Sequence, residues 1–502
     1  MQEIVAGFSH LFAPLPIFYV IIGVTLGIIV GAIPGLSGSM LIALALPLTF
    51  YMKSIHAMDL LVSMYVGSIS GGLITAILLR IPGTPSSIVT TFDGYPMAQK
   101  GKAGRALMLG IVSSFIGGLV SWFILILAAP PLSRFALKFG PFEIFSLVLS
   151  ALVLIAGLGG KGSFFRSLLA GFLGLLIACP GLDPVTSTPR LTFGMSEMTG
   201  GFGLLPVLIG MFGISQIISD ITNIETRVEK IPFTFRGLFL SFTDLKNNMV
   251  NFLRSSLIGT WIGFLPGIGG NIGSIIAYSA AKNSSKNPEK FGTGCDEGIV
   301  ASEAANNATI GGAFIPFLTL GIPGSVITAI LMGALILHDI IPGPLLFRQE
   351  PELVYGIMAV VFTANLIMFI IMLFACYGVA KLVDVPKSLM IPAILVFCVI
   401  GTFALNNRFF DVWVMFGFGL FGFVLEKLRV PLGPLIIGLV LSPFAEVNLR
   451  SGLMSSGGSL MPLITRPISL FFVIVAVLTL AWTLYRSFIV PYLARRGRKE
   501  AL

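Results

Sequence analysis

The chain has 502 residues, of which 56% are hydrophobic and 11% charged, and its formal net charge is +9. A soluble globular domain carries about 25% charged residues, so this composition excludes that class and indicates an integral membrane protein. The basic residues lie mainly in loops and in the C-terminal tail, and no stripe of them indicates a nucleic acid as partner.

Apolar stretches long enough to cross a lipid bilayer recur along the whole chain. We count roughly ten to fourteen transmembrane or re-entrant helical segments and predict an all-α integral membrane protein. The clearest stretches are residues 18–33, 106–129, 145–158, 355–383 and 468–490. The four cysteines are scattered without a CxxC pair, so they predict neither a metal site nor disulfides.

In chain order, the first unusual feature is a break rich in glycine and proline, GAIPGLSGSM at residues 31–40, inside an apolar run. A second break, GGLITAILLRIPGTPSS at residues 71–87, interrupts the next apolar run. Broken helices survive in a membrane only where they line a cavity or are buried in protein, because an unpaired backbone group is costly in hydrocarbon. Free N–H groups at such a break can hold a carboxylate, and free carbonyls can hold a small cation.

The same pattern returns in the second half of the chain, as GFLPGIGGNIGS at residues 263–274 and GGAFIPFLTLGIPGS at residues 311–325. Matching interruptions in two halves indicate a transporter built from repeats, with its binding site at the breaks. We predict a first membrane repeat over residues 1–219, a connector over 220–253 and a second repeat over 254–502. The number of crossings between the copies leaves parallel and inverted repeats open, and midplane sites made of broken helices favour the inverted arrangement.

Small and polar residues at the breaks are the predicted substrate-binding set. Glycine lets backbone groups approach a ligand closely, and hydroxyl and amide groups can orient it. Arg80 can grip a carboxylate through two hydrogen bonds or extend to the lipid headgroups, and both interpretations stay open. Close helix packing is the alternative use of such residues, but four motifs in duplicated order favour a site. The set is Gly35, Ser37, Ser39, Arg80, Gly83, Thr84, Ser86, Ser87, Gly267, Asn271, Gly324 and Ser325.

The segment SEAANNATIGG at residues 302–312 is the strongest polar cluster of the second half. Glu303, Asn306 and Asn307 are predicted to lie on adjoining faces of one helix. Their oxygens suit a coupling Na⁺, and a proton relay through Glu303 is the competing use. A further alternative places Glu303 at the water interface with the asparagines capping a helix. No other cofactor is predicted, and Asp93 is predicted to form a turn before Gly94.

Two other classes of function deserve comparison with a carrier. Residues 35–38, GLSG, match the GxSG pattern of intramembrane serine proteases, but a serine nucleophile needs a base, and His10, His56 and His338 are poorly spaced for that role. A passive anion channel can also use interrupted helices, but two unlike copies in one chain favour a carrier. The basic run at residues 495–499 predicts a cytoplasmic C-terminus.

At the break motifs the chain resembles the large membrane subunit of the tripartite tricarboxylate transporters, the TctA family. The resemblance covers most of the chain, and no departure from the family pattern removes a break motif. It includes the strings GAIPGLSGSM, IPGTPSSIVTTFDGYPMAQKGKAGRAL, FLPGIGGNIGS, GCDEGIVASEAANNATIGGAFIPFLTLGIPGS, VPLGPLIIGLVLSPFAEVNLR and RPIS.

The resemblance implies a secondary transporter of the bacterial inner membrane that imports a tricarboxylate or dicarboxylate by cation symport. It implies two partners, a small four-span membrane subunit and a periplasmic solute-binding protein that delivers the substrate. It also implies coupling to a Na⁺ or H⁺ gradient and a fold with re-entrant hairpins and elevator-like movement. The identity of the carboxylate is not implied.

Overall fold

The computed structural model describes residues 2–158, 164–183, 186–222, 240–267, 269–382 and 387–485, and these are almost entirely helical. Up to residue 222 the helices are α1 (Gln2–Leu11), α2 (Pro14–Ala32), α3 (Gly38–Thr49), α4 (Ser54–Leu79), α5 (Thr90–Met97), α6 (Ala103–Ala136), α7 (Pro141–Leu158), α8 (Phe164–Ile177), α9 (Leu204–Ile209) and α10 (Ser215–Thr222). Short 3-10 or π-helical turns lie at Pro85–Ser87, Ala98–Lys102, Ser196–Gly200 and Gly210–Ile214. Strands β1 (Gly181–Leu182) and β2 (Pro189–Arg190) form one small antiparallel pair.

The described chain after residue 240 is also helical and contains one further 3-10 turn, at Pro288–Lys290. They are α11 (Phe242–Phe264), α12 (Gly269–Ser284), α13 (Asp296–Leu320), α14 (Val326–Leu337), α15 (Leu346–Gln349), α16 (Pro351–Leu382), α17 (Lys387–Asn406), α18 (Phe409–Lys427), α19 (Leu432–Ser455), α20 (Pro462–Thr465) and α21 (Pro467–Leu484). Half of the predicted connector, residues 223–239, lies outside the described residues, as does the basic run at residues 495–499.

Eight helical stretches of the described chain are long and apolar enough to cross a membrane. Several shorter apolar helices accompany them, among them α3, α8 and α14. The prediction of an all-α membrane protein is therefore confirmed. The eight stretches are Pro14–Ala32, Ser54–Leu79, Thr90–Ala136, Leu204–Thr222, Pro351–Phe374, Phe409–Lys427, Leu432–Ser455 and Pro467–Leu484.

The chain divides into two compact units. The first unit comprises residues 1–134 and 205–423, and the second comprises residues 135–204 and 424–502. All four predicted breaks lie in the first unit, so the candidate site belongs to it. The division of the sequence into two repeats stays a prediction.

Two closely packed helix pairs form the centre of the first unit, α2 with α4 and α11 with α13. Glycines make this closeness feasible. A Cβ on Gly27 would lie 2.5 Å from a carbonyl oxygen of α4, and Cβ atoms on Gly31, Gly259 and Gly263 would meet carbonyls of the facing helix. Backbone therefore packs on backbone in both pairs, as is usual where small residues line a membrane helix interface.

Each predicted break separates two helical segments. The breaks lie between α2 and α3, between α4 and the Pro85–Ser87 turn, between α11 and α12, and between α13 and α14. Two helices end in the left-handed region of backbone space, α4 at Arg80 (φ 58°) and α13 at Gly321 (φ 67°). The Gly/Pro patterns therefore identified the interruptions correctly, because they act through local backbone geometry.

Ion pairs join distant parts of the second unit. The Arg190 guanidinium on β2 donates to both carboxylate oxygens of Glu446 on α19, at 2.5 and 2.7 Å. These hydrogen bonds raise the pKa of Arg190. Arg450 Nη2 lies 2.8 Å from Asp183 Oδ2, beside the same strand pair. These ion pairs therefore connect the β1–β2 strand pair to α19.

Candidate functional site

The breaks of the two halves contact one another in pairs within the first unit. Near the start of α12, Ser274 Oγ donates to the carbonyl of Ser86 in the Pro85–Ser87 turn at 3.2 Å. At the other pair, α3 contacts α14, where a Cβ on Gly38 would lie 3.4 Å from Ile327 Cδ1. The first break of each half thus packs against the segment that follows the second break of the other half.

Most predicted substrate-binding hydroxyls are used to begin helices. Ser37 Oγ accepts from the Met40 backbone N–H at 3.2 Å and lies 2.9 Å from Ser39 Oγ, so it caps α3. Ser325 caps α14 in the same way, accepting from the Thr328 N–H at 3.2 Å while its own N–H donates to Thr328 Oγ1 at 2.8 Å. Such caps fix the direction in which the free N–H groups of a helix start point.

The Pro85–Ser87 turn carries an equivalent cap. Thr84 and Ser87 form a capping box, in which the Thr84 N–H donates to Ser87 Oγ at 3.3 Å. Ser86 Oγ lies 3.2 Å from Thr84 Oγ1, and all three side chains are buried. The predicted set is thus grouped at the helix starts, where a hydroxyl that caps the backbone still has capacity to contact a ligand.

The predicted glycines permit the tight geometry of the breaks. Gly35 (φ 95°) and Gly267 (φ 73°) adopt backbone angles that favour glycine. The Gly267 N–H donates to the Gly324 carbonyl at 2.9 Å, and the Gly83 N–H donates to the carbonyl of Gly72 at 3.4 Å. Both Ile-Pro-Gly breaks are therefore held by a backbone hydrogen bond.

Three members of the predicted set are exposed, namely Gly35, Arg80 and Asn271. Arg80 is exposed, and its guanidinium lies 5.7 Å from the centroid of the Tyr95 ring. Asn271 is exposed on the first turn of α12. All three lie within the break motifs, so they belong to the exposed edge of the predicted set.

The predicted cation-binding residues are completely buried in the middle of α13. Glu303 Oε1 accepts from the Thr90 hydroxyl, and Glu303 Oε2 accepts from the Ser114 hydroxyl at 3.1 Å. The alternative that placed Glu303 at the water interface, with the asparagines as caps, is therefore wrong. Thr90 and Ser114 belong to α5 and α6 and were missed by the sequence reasoning, because only tertiary packing brings them to α13.

The two asparagines differ in their hydrogen bonding. Asn307 Oδ1 accepts from the Ser70 hydroxyl at 2.7 Å, and Asn307 Nδ2 donates to the Glu303 carbonyl at 3.2 Å. Asn306 lies near the Glu303 side chain, but neither of its amide atoms makes a hydrogen bond of ordinary geometry to a described residue. A buried amide without partners is uncommon and points to an ion, a water or a ligand.

Space beside Asn306 exists because residue 270 is a glycine. A Cβ at Gly270 would lie 2.8 Å from Asn306 Oδ1, 3.2 Å from Thr309 Oγ1 and 3.1 Å from Ser86 Cβ. The start of α12, the middle of α13 and the Pro85–Ser87 turn thus converge at this point. Amide and hydroxyl oxygens are the ligands that a hard cation prefers.

Asp93 differs from its predicted role. It lies inside α5 rather than in a turn, because its tertiary contacts override the turn propensity of the following Gly-Tyr-Pro. Its carboxylate is fully buried, and Oδ1 accepts from the backbone N–H groups of Gly292, Gly294 and Cys295 at 2.8–2.9 Å. Oδ2 accepts from the Tyr278 hydroxyl at 2.8 Å. Asp93 therefore connects α5 to the polar insert of the second half, the segment KNSSKNPEKFGTGCDE at residues 282–297.

Arg105 makes a second link between the halves within the first unit. Its Nη2 lies 2.8 Å from Asp244 Oδ1 and 2.5 Å from Asp296 Oδ2. The two aspartates occupy the first turns of α11 and α13, where negative charge is favoured by the helix dipole. One arginine of α6 thus holds the starts of both helices of the second close pair.

Comparison with known proteins finds a matching family model and two similar proteins. A family model described as the tripartite tricarboxylate transporter TctA family matches residues 17–437. An Agrobacterium vitis relative, described as an uncharacterized 52.8 kDa protein in the TAR-I ttuC' 3' region, is 38% identical over 466 residues, which are 92% of each chain. Another from that organism, an uncharacterized protein in the TAR-II ttuC' 3' region, is 39% identical over 211 residues, covering 42% of this chain and 87% of its own length. No solved structure matches the chain.

Proposed function

The chain belongs to the tripartite tricarboxylate transporter TctA family, and on that premise we propose that it is the large membrane subunit of a secondary transporter that imports an organic carboxylate with a cation. Membership makes it a transmembrane transporter rather than an enzyme, which removes the serine protease alternative. The observation that supports the proposal is the group of completely buried polar side chains on α13, which lies beside the helix breaks.

Two inverted repeats are the proposed basis of this site. Matched contacts support the idea: a Cβ on Gly83 would meet the Gly31 carbonyl, and a Cβ on Gly324 would lie 2.6 Å from the Gly263 carbonyl. Capping boxes follow both Ile-Pro-Gly breaks. The reciprocal contacts of α3 with α14 and of α12 with the Pro85–Ser87 turn are those expected when a pseudo-two-fold axis relates the halves.

The carboxylate is proposed to bind at the capped helix starts. The starts of α3, α12 and α14 offer free N–H groups with partial positive charge, so a multiply charged anion can be held without a buried lysine or arginine. Gly35, Ser37 and Ser39 belong to the first of these starts, and Gly324 and Ser325 to the last. A tricarboxylate or dicarboxylate fits the family's description, and the uptake assay described below identifies which carboxylate is transported.

The coupling cation is proposed to bind around Glu303 and Asn306. For Na⁺, the Asn306 amide oxygen and the Thr309 hydroxyl are suitable ligands, with Glu303 supplying negative charge. For H⁺, Glu303 itself would carry the proton, and the Thr90 and Ser114 hydroxyls would stabilise its ionised form. Asn307 is proposed to hold the α13 backbone in place through Ser70.

Partners and location follow from the same family. We propose that the chain assembles with a small four-span membrane subunit and receives substrate from a periplasmic solute-binding protein. The complex would lie in the bacterial inner membrane with the C-terminus in the cytoplasm, as the basic tail indicates.

Reconstituted uptake tests this function directly. The chain, its small subunit and the binding protein are placed in liposomes and offered a panel of labelled carboxylates, with Na⁺ and pH gradients imposed separately. We expect accumulation of one carboxylate class that requires the binding protein and one of the two gradients. Equal flux without a gradient would instead identify a passive channel.

A pair of neighbouring substitutions separates ion binding from folding. Asn306→Ala should raise the cation concentration for half-maximal uptake by roughly tenfold or more, because a contact to a charged group contributes about 1.5–3 kcal/mol. Its melting temperature should stay near that of the wild type, because the amide makes no hydrogen bond of ordinary geometry to a described residue.

The matched control is Asn307→Ala, which removes the same volume from the next residue. It should lower the melting temperature measurably, because it leaves the buried Ser70 hydroxyl without its acceptor. Uptake titrated against Na⁺ and against pH, with melting curves of both variants, gives the comparison. If Asn306→Ala destabilised the protein as much as Asn307→Ala and left the cation dependence unchanged, the proposed ion site would be wrong.

A further inference from the structure

Two histidines and one aspartate lie together away from the breaks, where α1 meets the first two turns of α4. His10 Nε2 lies 2.9 Å from Asp59 Oδ2, and His56 Nδ1 lies 3.3 Å from the same oxygen. One ligand atom from each of the three residues lies within 4.8 Å of the others. His56 and Asp59 are three residues apart on one helix, so their side chains share a face.

Asp59 is unusually buried for a carboxylate that makes so few contacts. Its side chain is 1% exposed, and its Oδ1 has no hydrogen-bond partner among the described residues. A buried charge is costly unless it is paired and fully hydrogen-bonded or coordinates a metal. The two histidines partly cover the carboxylate, but hydrogen bonds to Oδ2 alone leave the second oxygen unsatisfied.

We propose that His10, His56 and Asp59 form a binding site for a divalent transition-metal ion of the zinc class. Two imidazole nitrogens and a carboxylate oxygen are a ligand set that zinc accepts, with water completing the coordination. Adjacent ligands of a tetrahedral zinc site are about 3.3 Å apart, which is close to the two distances to Asp59 Oδ2. The unpaired Oδ1 can share the metal or accept from the bound water.

The surroundings of the cluster suit entry and retention of an ion. His10 and His56 are 12% and 17% exposed, so the imidazoles offer a route from solvent to the buried oxygen. Their rings are stacked with centroids 5.3 Å apart, and Tyr19 lies 5.7 Å from His56. Without a metal, one ring N–H of each histidine donates to Asp59 Oδ2. When a metal binds, that nitrogen becomes the ligand and each neutral imidazole carries its proton on the other ring nitrogen.

Metal binding would attach the N-terminal helix to the rest of the first unit. His10 is the only ligand from α1, whereas the other two come from α4. α1 also packs closely on α16, where a Cβ on Gly7 would lie 2.5 Å from the Tyr355 carbonyl carbon. The ion would therefore fix α1 to α4, and this structural role would be independent of carboxylate transport.

Zinc binding to the purified full-length chain tests the proposal. The protein carries a tag without histidine, is treated with a chelator, and is titrated with Zn²⁺ against a chromogenic competitor. We expect one ion per chain, a higher melting temperature with Zn²⁺, and a Co²⁺ complex whose visible spectrum indicates nitrogen and oxygen ligands. His56→Gln and Asp59→Asn should weaken binding by roughly 100-fold or more, which exceeds the loss typical of residues that only support a ligand.

The third histidine supplies the matched control. The chain has three histidines, and His338 lies outside the cluster, so His338→Gln should bind Zn²⁺ with wild-type affinity. Each variant must first melt like the metal-free wild type, and the Co²⁺ spectrum of the wild type provides an independent measurement should a variant fail to fold. Loss of binding in His338→Gln equal to that in His56→Gln, or a wild-type Co²⁺ spectrum identical to that of free aqueous Co²⁺, would overturn the proposal and leave a hydrogen-bonded polar cluster.

Discussion

Gly83→Val or Gly324→Val is expected to abolish uptake of the carboxylate, while the variant protein still inserts into the membrane. A Cβ on Gly83 would lie 2.8 Å from Thr75 Oγ1 and 2.9 Å from the Cα of Gly72. A Cβ on Gly324 would lie 2.6 Å from the Gly263 carbonyl oxygen. Backbone atoms cannot rotate away as a side chain can, so the break itself must move.

The expected size of the effect follows from the cost of overpacking. Forcing extra atoms into a packed interior typically costs about 1–3 kcal/mol. Because each 1.4 kcal/mol corresponds to a factor of ten, we expect uptake to fall by about tenfold at least. Uptake in liposomes, together with the elution profile of the solubilised protein, measures transport and folding separately. The smaller changes Gly83→Ala and Gly324→Ala should already reduce uptake.

A glycine with open surroundings provides the control. Gly417 is exposed on α18, and a Cβ added there would meet no described atom within 4 Å, so Gly417→Ala should transport normally. Normal uptake by both Gly83→Val and Gly324→Val would contradict the assignment of the Ile-Pro-Gly breaks to the transport site.

The largest effect on stability is expected from Asp93→Ala. This change leaves three partly buried or exposed backbone N–H groups and the Tyr278 hydroxyl without their acceptor. A hydrogen bond to a charged group contributes about 1.5–3 kcal/mol, and water can replace the acceptor at the more exposed donors, so the net loss should be roughly 3–6 kcal/mol. The polar insert would detach from α5, and a thermal unfolding curve of the solubilised protein should show a large drop in melting temperature.

Two further variants serve as comparisons for Asp93→Ala, one with an intermediate effect and one as a control. Asp93→Asn keeps one carbonyl oxygen for the three N–H groups and should fall between the wild type and Asp93→Ala. Glu289→Ala removes an exposed carboxylate from the same insert and should melt like the wild type. A wild-type melting temperature for Asp93→Ala would show that the cage of hydrogen bonds contributes little to stability.

The helix breaks could be predicted from sequence because their cause is local. Closely spaced proline and glycine residues favour a helix end through their own backbone geometry, and both occur together in GAIPGLSG and in GFLPGIGG. The buried position of α13 was harder to read, since Glu303 and the two asparagines also suited a helix end at the water interface. Burial on every side resolves that choice, and burial depends on the helices that surround α13.

The partners of the polar residues could not be predicted for the same reason. Ser70, Thr90 and Ser114 contact residues of α13 that are roughly two hundred positions away in sequence, and no local pattern marks such contacts. Asp93 shows the converse error, because its neighbours favour a turn while three distant N–H groups hold it in a helix. The capping roles of Ser37 and Ser325 were missed because the hydroxyls were considered only as ligand groups.

The glycine contacts of the two close helix pairs have a mechanical consequence. Where α2 meets α4, and where α11 meets α13, main chain touches main chain, so no side-chain rotamers exist there to absorb gradual sliding. In the proposed transport cycle each pair would then move as a rigid body. The hinges of that movement would lie in the short non-helical joints that follow these helices, and a bulky side chain in such a joint would block it.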